Sequence, residues 1–540
     1  MNNKTKKINS KYLHIAIIIL GILFISVPIF HKNIWFDESY TVGIVSKSFA
    51  DIWRIGSNDV HPVLYYWMLH IIYLIFGSNI YIYRFFSMIP LAILSILGYT
   101  HIRKDFGEKI GFIFSFLVLF LPISSVYSGE IRMYTWAMLF VSLMAIYAYR
   151  IYKQVTNSTD SDLNQEKYNS KSQKQSSESK NRIKNWILFA IFSLASCYTH
   201  YYGLATAGVI NVILFIYLIV KAVKDHKENK ANKIYTAGLK CFTVSAIIQI
   251  LLYLPWFIAA VVKQLQGLSN GFWIPKPSSE ILLQIFIFQF TGDLDNLFIS
   301  KTIAIIFGIV ISAYVIYCMI RAIIKNKNQE IKDSNVAGIW AIGIYGIVML
   351  CILIISIKKP LLYARYFLNL TGIFIFFLAF FIAKGGRKIL TTILSIIIII
   401  VSMIVNFNAC SMNYDESNSK PLAYVEQDLQ EKDMLLFGNK GSGFVLSMQL
   451  IDVPNCFYDK EQWNVEPAYE AFGEDMLTIK TLEPLDDYKG RIWIIDAGTY
   501  GIYDELIERY GEENITLIKR EGFEVKYHEY KYTIALIDKK

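Results

Sequence analysis

Charged side chains that could take part in catalysis stand close together at two places in the first quarter of the chain. Asp37 and Glu38 are adjacent, and Glu130 lies shortly before Arg132. A carboxylate beside an apolar surface can keep a raised pKa and take a proton from a hydroxyl group. An arginine can hold phosphate oxygens with two parallel N–H groups. Residues of these types suit the transfer of a group from a lipid-linked phosphate to an acceptor hydroxyl.

These side chains must be positioned by apolar elements, because the chain is far more hydrophobic than a soluble domain. It has 540 residues, of which 54% are hydrophobic and 18% charged. Between residues 12 and 408, uncharged stretches of roughly 17–25 residues recur, and each is long enough to cross a hydrocarbon core about 30 Å thick. Only helices can do so in series, because lipid offers no partner for unpaired backbone groups. The net charge of +9 resides in short loops, which favours topology determinants over a nucleic-acid surface.

The distribution of basic residues selects about eleven crossings from twelve apolar segments. A cytoplasmic N-terminus follows from its lysines under the positive-inside rule. The basic loops then fall on the cytoplasmic side only if one segment does not cross. The segment 61–76 is only ~24 Å long as a helix and is rich in interfacial aromatic residues. We expect it to lie flat on the outer face of the plasma membrane, within an outer loop 31–81. A short re-entrant helix would give the same topology.

The remaining stretches complete a two-domain plan. Residues 153–184 are polar and of low complexity, which predicts a disordered cytoplasmic loop. The composition becomes soluble near residue 410. Patterns of strands and helices predict an extracytoplasmic α/β domain over 410–540, after a transmembrane domain over 1–409. We place its strands at 433–437, 491–496, 515–519 and 530–538 and its helices at 441–450 and 501–510.

Two features of the C-terminal domain leave alternatives open. Gly438, Gly441 and Gly443 follow a predicted strand and are typical either of a phosphate-binding loop or of an ordinary strand-to-helix turn. Cys410 and Cys456 are compatible either with a disulfide or with free thiols.

Several short runs, taken in order, resemble the GT-C glycosyltransferases. They are most similar to the branch of protein O-mannosyltransferases and lipid A aminoarabinose transferases, glycosyltransferase family 39. Each run is short, and their order along the first 400 residues carries the resemblance. The runs are Asp37-Glu38-Ser39-Tyr40, His61-Pro62-Val63-Leu64-Tyr65-Tyr66, Arg84, Glu130-Ile131-Arg132-Met133-Tyr134 and Arg365-Tyr366-Phe367.

The resemblance implies a fold and the roles of three acids. The fold is a polytopic α-helical GT-C domain whose first outer loop carries two surface-lying helices. Asp37 would be the general base that activates the acceptor, Glu38 would support it, and Glu130 would be a second acid near the sugars. A single displacement would invert the anomeric centre.

The resemblance also implies a cationic site for the donor phosphate. Arg365, with Lys358 or Arg132, would stabilise the departing lipid phosphate. Further residues expected to contact the substrates are His61, Tyr134, His200 and Tyr201. Glu130 and His200, with His61 or Asp37, are ligand types that suit a divalent cation, although the family does not uniformly need one.

The implied activity is a hexosyl or pentosyl transferase of the membrane. The donor would be a sugar on polyprenyl phosphate, the acceptor a cell-envelope glycan, lipid or polymer, and nucleic acid is not an expected partner. The alternative functions are a transporter or flippase of a lipid-linked glycan and an inactive scaffold. A transporter predicts charges near mid-bilayer and internally repeated halves, whereas the charges here cluster at span ends.

Overall fold

The architecture is a set of long apolar helices with one small sheet near the C-terminus. The computed structural model describes residues 10–163, 172–227, 234–267, 274–292, 298–325, 336–460, 469–472 and 476–540. These residues form two compact units. The first comprises the described residues within 1–26, 87–128 and 133–405, and the second comprises those within 27–86, 129–132 and 406–540.

The helices follow the order expected from the apolar segments. The α-helices are Ser10–Ser26, Phe36–Val45, Phe49–Gly56, Leu64–Phe76, Ile80–Leu97, Arg103–Phe106, Glu108–Phe120, Pro122–Tyr127, Tyr134–Leu163, Ser172–Thr199, Tyr201–Lys227, Ile234–Trp256, Val262–Gly267, Ser279–Thr291, Lys301–Lys325, Val336–Lys358, Leu368–Gly385, Lys388–Asn413, Lys420–Glu426, Ser442–Gln449 and Gly501–Tyr510. Five-residue π-helices occupy Gly98–Ile102 and Phe257–Val261, and 3-10 turns occupy Val27–Ile29, Ala364–Phe367, Glu416–Ser419, Glu470–Phe472, Glu483–Leu485 and Tyr527–Glu529.

Nine helices among the described residues are long and apolar enough to cross a membrane. They are Ser10–Ile29, Ile80–Phe106, Tyr134–Thr156, Tyr201–Lys224, Tyr235–Gln264, Lys301–Lys325, Val336–Lys358, Ala364–Gly385 and Lys388–Glu426. The prediction of a polytopic membrane protein is confirmed.

The other two predicted crossings fall on helices that do not meet the same criterion. Glu108–Phe120 has only 13 residues. The backbone of Leu121 is extended, which ends this helix, and a new helix begins at Pro122. Ser172–Thr199 begins with a long polar stretch that lowers its hydropathy. The total of eleven crossings therefore stays a prediction.

The segment predicted to lie flat forms a helix that is short for a crossing. Leu64–Phe76 has 13 residues, and its exposed side chains include Ile71, Leu74 and Ile75. The helix Phe49–Gly56 precedes it and has its N-terminus capped by Ser48, whose hydroxyl accepts from the Asp51 N–H. Three short helices, Phe36–Val45, Phe49–Gly56 and Leu64–Phe76, thus occupy the predicted outer loop, and their position on the membrane surface stays a prediction.

The C-terminal sheet has six strands around a buried apolar core. The strands are β1 (Met434–Phe437), β2 (Asn455–Tyr458), β3 (Leu477–Ile479), β4 (Gly490–Asp496), β5 (Ile515–Glu524) and β6 (Lys531–Lys539). Their order is β3-β2-β1-β4-β6-β5. β1 pairs in parallel with β2 and β4, and β2 with β3, whereas β6 runs antiparallel to β4 and β5. The prediction of an α/β domain is confirmed, although β2 and β3 were not anticipated.

One of the two open alternatives in this domain is answered: Cys410 and Cys456 are free thiols. The choice between a phosphate-binding loop and an ordinary turn at the three glycines stays open. Asn439, which precedes the helix after β1, accepts at Oδ1 from the Gly443 N–H at 2.9 Å. A Cβ on Gly443 would lie 2.7 Å from the Phe437 ring, so close packing accounts for this glycine.

The two compact units cut across the predicted boundary at residue 409. The second unit contains the sheet together with residues 27–86 and 129–132. It therefore joins the predicted outer loop and the C-terminal domain. The predicted loop 153–184 lies partly outside the described residues, and its disorder stays a prediction.

Candidate active site

The acidic pair lies in the first turn of a buried helix in the second unit. The helix Phe36–Val45 places Asp37 and Glu38 at its N-terminal end, where the aligned peptide dipoles favour negative charge. Glu38 also accepts a long hydrogen bond, 3.4 Å, from the Trp35 N–H that precedes the helix. Glu38 is fully buried, whereas Asp37 is half-buried. The two neighbouring carboxylates therefore have different access to solvent.

The Glu38 carboxylate is held by a fork of hydrogen bonds from Arg84. Arg84 Nη1 donates to Oε1 at 2.8 Å, and Nη2 donates to Oε2 at 2.9 Å. The Ile131 N–H is a third donor to the carboxylate and binds Oε1 at 2.8 Å. The Tyr527 hydroxyl donates to Oε2 at 3.3 Å. A carboxylate with donors on both oxygens is an acceptor in the ionised form. Glu38 is thus fixed in place by donors on both of its oxygens.

Arg84 links three separate stretches of the second unit. Its side chain is 2% exposed. Besides Glu38, it donates to the carbonyls of Gly129 at 2.7 Å and of His31 at 3.3 Å, and to that of Asn33. A buried guanidinium is stable only when its charge and donors are satisfied. Arg84 therefore ties the acidic helix to the Gly129–Arg132 connection.

Arg132 holds the acidic helix from a second direction. It is buried, and its Nη1 donates to the Asp37 carbonyl at 3.0 Å and to Thr41 Oγ1 at 3.2 Å. A longer contact of 3.4 Å reaches the Tyr66 hydroxyl. The Arg132 N–H also bonds to the carbonyl of half-buried Glu130 at 2.7 Å. The predicted residues Asp37, Glu130 and Arg132 are therefore brought together within one unit.

A further carboxylate, Asp59, belongs to the same group of charges. Burial raises the pKa of Asp59, and the negative charge of Asp37 raises it further, while Arg132 and the Tyr40 hydroxyl oppose this shift. The pKa of Tyr40 is itself raised, first by burial and then by Asp59. Asp59 thus lies within electrostatic reach of the predicted base. His61 lies close by in sequence and is buried, at 6% exposed.

The acidic helix packs on the C-terminal part of the second unit. The rings of Phe36 and Tyr40 meet Phe472 at centroid distances of 5.9 and 5.8 Å. A Cβ on Gly43 would lie 2.1 Å from the Ala471 carbonyl oxygen. Because only glycine allows this approach, Gly43 is required for close packing here.

The remaining predicted residues lie in the first unit. His200 is 2% exposed, and its Nδ1 accepts from the Tyr202 N–H at 3.1 Å, at the start of a span. Its ring meets Tyr134 at 5.9 Å and Tyr366 at 4.9 Å. Tyr201 donates to Gln264 Oε1. The predicted residues Tyr134 and His200 thus share one aromatic cluster.

The two predicted phosphate ligands of this unit flank one short connection. Lys358 ends the helix Val336–Lys358, and Arg365 lies in the turn Ala364–Phe367 that opens the next span. Consecutive crossings joined by so short a link place both cations at the same membrane face. The Arg365 guanidinium lies over the Tyr363 ring, with Cζ 5.7 Å from the centroid. The described residues contain no group of three or more His, Cys, Asp or Glu side chains arranged to hold a metal ion.

Part of the chain matches a family of known enzymes. Residues 60–162 match the family model described as dolichyl-phosphate-mannose-protein mannosyltransferase. This range includes His61, Arg84, Glu130 and Arg132. No curated protein sequence gives a significant match.

Solved structures extend the similarity over nearly the whole chain. ArnT from Cupriavidus metallidurans in the apo state matches with a TM-score of 0.60 and 11% identity, over 97% of both chains. The chain shares the fold of ArnT. The same protein bound to undecaprenyl phosphate matches with a TM-score of 0.57 and 13% identity, again over 97% of both chains. The fold that the resemblance implied is thereby confirmed, and the family model supports a relationship to the mannosyltransferases over residues 60–162.

Three residues of the site were not among the predicted site residues. Arg84 was noted only as part of the resemblance, although a charge inside the apolar segment Ile80–Leu97 was itself a signal. Asp59 lies just before the His61-Pro62 run, and this closeness in sequence could have identified it as a site residue. Tyr527 carried no signal, because nothing in the sequence pairs it with Glu38.

Proposed function

We propose that the protein transfers a sugar from a polyprenyl-phosphate donor to an acceptor on the outer face of the membrane, with Asp37 as the general base. The observation that carries this proposal is the unequal state of the acidic pair. The Glu38 carboxylate is occupied by Arg84 and the Ile131 N–H. Asp37, its half-buried neighbour on the same helix, is the carboxylate with access to a substrate.

The reaction is a single displacement. The acceptor hydroxyl oxygen forms a bond to the anomeric carbon while the bond from that carbon to the donor phosphate oxygen breaks. The hydroxyl proton passes to the Asp37 carboxylate, and the polyprenyl phosphate leaves with the bonding electron pair. Attack opposite the leaving group inverts the anomeric centre. Glu38 and Arg84 hold the helix, and Glu130 orients the sugars.

The departing phosphate requires positive charge. Arg365 and Lys358 flank one connection of the first unit, and an arginine can take two phosphate oxygens at once. Arg132 adds a third positive charge beside the Asp37 main chain. The binding of undecaprenyl phosphate by ArnT, whose fold this chain shares, supports a lipid phosphate donor. His61, Tyr134, His200 and Tyr201 would contact the substrates (the first beside the acids, the others in the aromatic cluster).

The orientation follows from the basic loops and remains part of the proposal. The N-terminus would be cytoplasmic and the C-terminal domain extracytoplasmic under the positive-inside rule. The acceptor would be a glycan, lipid or polymer of the cell envelope.

The test is a transfer assay with the purified protein in liposomes. Radiolabelled polyprenyl-phosphate sugars are supplied with an envelope extract as acceptor. Asp37→Asn should lower the rate about 10²–10⁴-fold, the usual worth of a positioned general base. Asp51→Asn changes a nearby exposed acid and should leave the rate intact. Equal transfer by Asp37→Asn and wild type would refute Asp37 as base, and donor crossing the bilayer without transfer would favour a flippase.

A further inference from the structure

The loop between β5 and β6 contacts the chain on both sides of Asp37. The Tyr527 hydroxyl donates to Glu38 Oε2 at 3.3 Å. The Tyr530 hydroxyl accepts from the Phe36 N–H at 3.0 Å. Asp37 lies between these two residues, so its neighbours before and after are both held by one loop of the C-terminal domain.

Ring contacts reinforce the two hydrogen bonds. The His528 ring stacks on Trp35, with centroids 5.1 Å apart and an interplanar angle of 11°. The Tyr527 ring packs against His31 at 5.3 Å. The residues leading into the acidic helix are therefore covered by the same loop.

The loop has a fixed and strained shape. His528 and Glu529 both have φ of 54°, in the left-handed region that residues with a Cβ rarely adopt. The loop is closed by a hydrogen bond from the Val525 N–H to the Tyr530 carbonyl at 2.9 Å. It is anchored from outside by Asn418, whose Oδ1 accepts from the Tyr527 N–H at 2.8 Å. Such strain persists where the surroundings over-determine a conformation, and it concentrates at functional sites.

Tyr527 is suited to act as a permanent donor. Its side chain is buried, at 6% exposed. Burial and the negative charges of Glu38 and Glu130 raise the pKa of Tyr527 well above its usual value, and Arg84 opposes this only in part. The hydroxyl therefore keeps its proton at physiological pH.

We propose that Tyr527 is a positioning residue for the Asp37–Glu38 pair, and that the C-terminal domain thereby forms part of the active site. The inference rests on the proposed function, in which Asp37 is the base. Tyr527 acts through Glu38: it fixes the second oxygen of that carboxylate, and the turn that carries Asp37 is fixed with it. The C-terminal domain contributes geometry to the reaction whether or not it also binds the acceptor.

The test compares Tyr527→Phe with Tyr532→Phe in the full-length protein. Both tyrosines are buried, and both substitutions remove only a hydroxyl. The proposal gives Tyr532 no role in positioning the acids. Loss of one hydrogen bond to a charged acceptor should lower kcat of Tyr527→Phe about 10-fold, with KM for the donor unchanged. Tyr532→Phe should match wild type in both measurements.

Each other outcome overturns a defined part of the argument. A wild-type kcat in Tyr527→Phe, or a change in KM for the donor without a change in kcat, would overturn the positioning role, while transfer by wild type would keep the proposed function. Absence of transfer by wild type itself would overturn both. If Tyr527→Phe fails to fold, Tyr530→Phe removes the acceptor of the Phe36 N–H and should give the same kcat loss. An equal loss in Tyr530→Phe and Tyr532→Phe would also overturn the proposal.

Discussion

Replacing Arg84 by methionine should be among the most damaging single changes to the second unit. The side chain is 2% exposed and pairs with a Glu38 side chain that is 1% exposed. Methionine keeps much of the length but leaves the Glu38 charge buried without its main partner. Breaking a buried pair in this way costs about 3–5 kcal/mol. The carbonyls of His31 and Gly129 also lose a donor.

The expected shift in thermal stability follows from the size of the unit. The second unit has about 200 residues, and for such a size 1 kcal/mol corresponds to about 2–4 °C in the unfolding midpoint. Arg84→Met should therefore lower the midpoint of this unit by about 6–20 °C. The control is Arg54→Met, which breaks exposed ion pairs with Asp51 and Glu470. Exposed pairs are worth at most about 1 kcal/mol each, so loss of the two should shift the midpoint by no more than about 8 °C.

The assay is thermal unfolding of the detergent-solubilised protein, followed by tryptophan fluorescence, with a double-mutant cycle. Glu38→Gln alone should also be destabilising, because it leaves the Arg84 charge buried. Arg84→Met combined with Glu38→Gln should cost less than the two single changes added together, because neither charge then lacks a partner. A double variant whose loss equals the sum would refute the coupling. A wild-type midpoint for Arg84→Met would refute the buried pair itself.

Two further changes probe the packing and the charge around the acidic helix. Gly43→Ala should destabilise by about 1–3 kcal/mol, the usual cost of overpacking, because its Cβ would collide with the Ala471 carbonyl; Gly343→Ala, where a Cβ meets open space, should be neutral or stabilising in the same unfolding measurement. Asp59 has a raised pKa in the folded state, so the folded form binds its proton more tightly and stability falls as pH rises from the ordinary carboxyl pKa through the raised one. Asp59→Asn should remove this dependence: its midpoint should exceed that of wild type at neutral pH and equal it at acidic pH. Parallel curves for the two proteins would contradict the raised pKa of Asp59.

The helices and the acidic pair could be predicted because their signals are local. Uncharged stretches of sufficient length identify crossings without any knowledge of neighbours. Asp37 and Glu38 stand out as charges just after an apolar span. The helix 501–510 was predicted with the bounds that the structure gives it, Gly501–Tyr510, because its apolar spacing and the glycine that follows are also local.

The pairings within the site could not be predicted in the same way. Arg84 and Glu38 are 46 residues apart, and several other cations were equally available as partners. Strands β2 and β3 have only four and three residues, too few to show an alternating pattern. The saturation of Glu38, which separates its role from that of Asp37, is a property of three-dimensional contacts alone.

The contact between Glu38 and Tyr527 also has a consequence for the synthesis of the protein. The two residues are 489 positions apart in the chain. At synthesis rates of about 5–20 residues per second, the ribosome adds Tyr527 about 25–100 s after Glu38. The acidic helix is therefore synthesised long before the Tyr527 donor to Glu38. In a nascent or prematurely terminated chain, Glu38 lacks this donor until the β5–β6 hairpin has been synthesised.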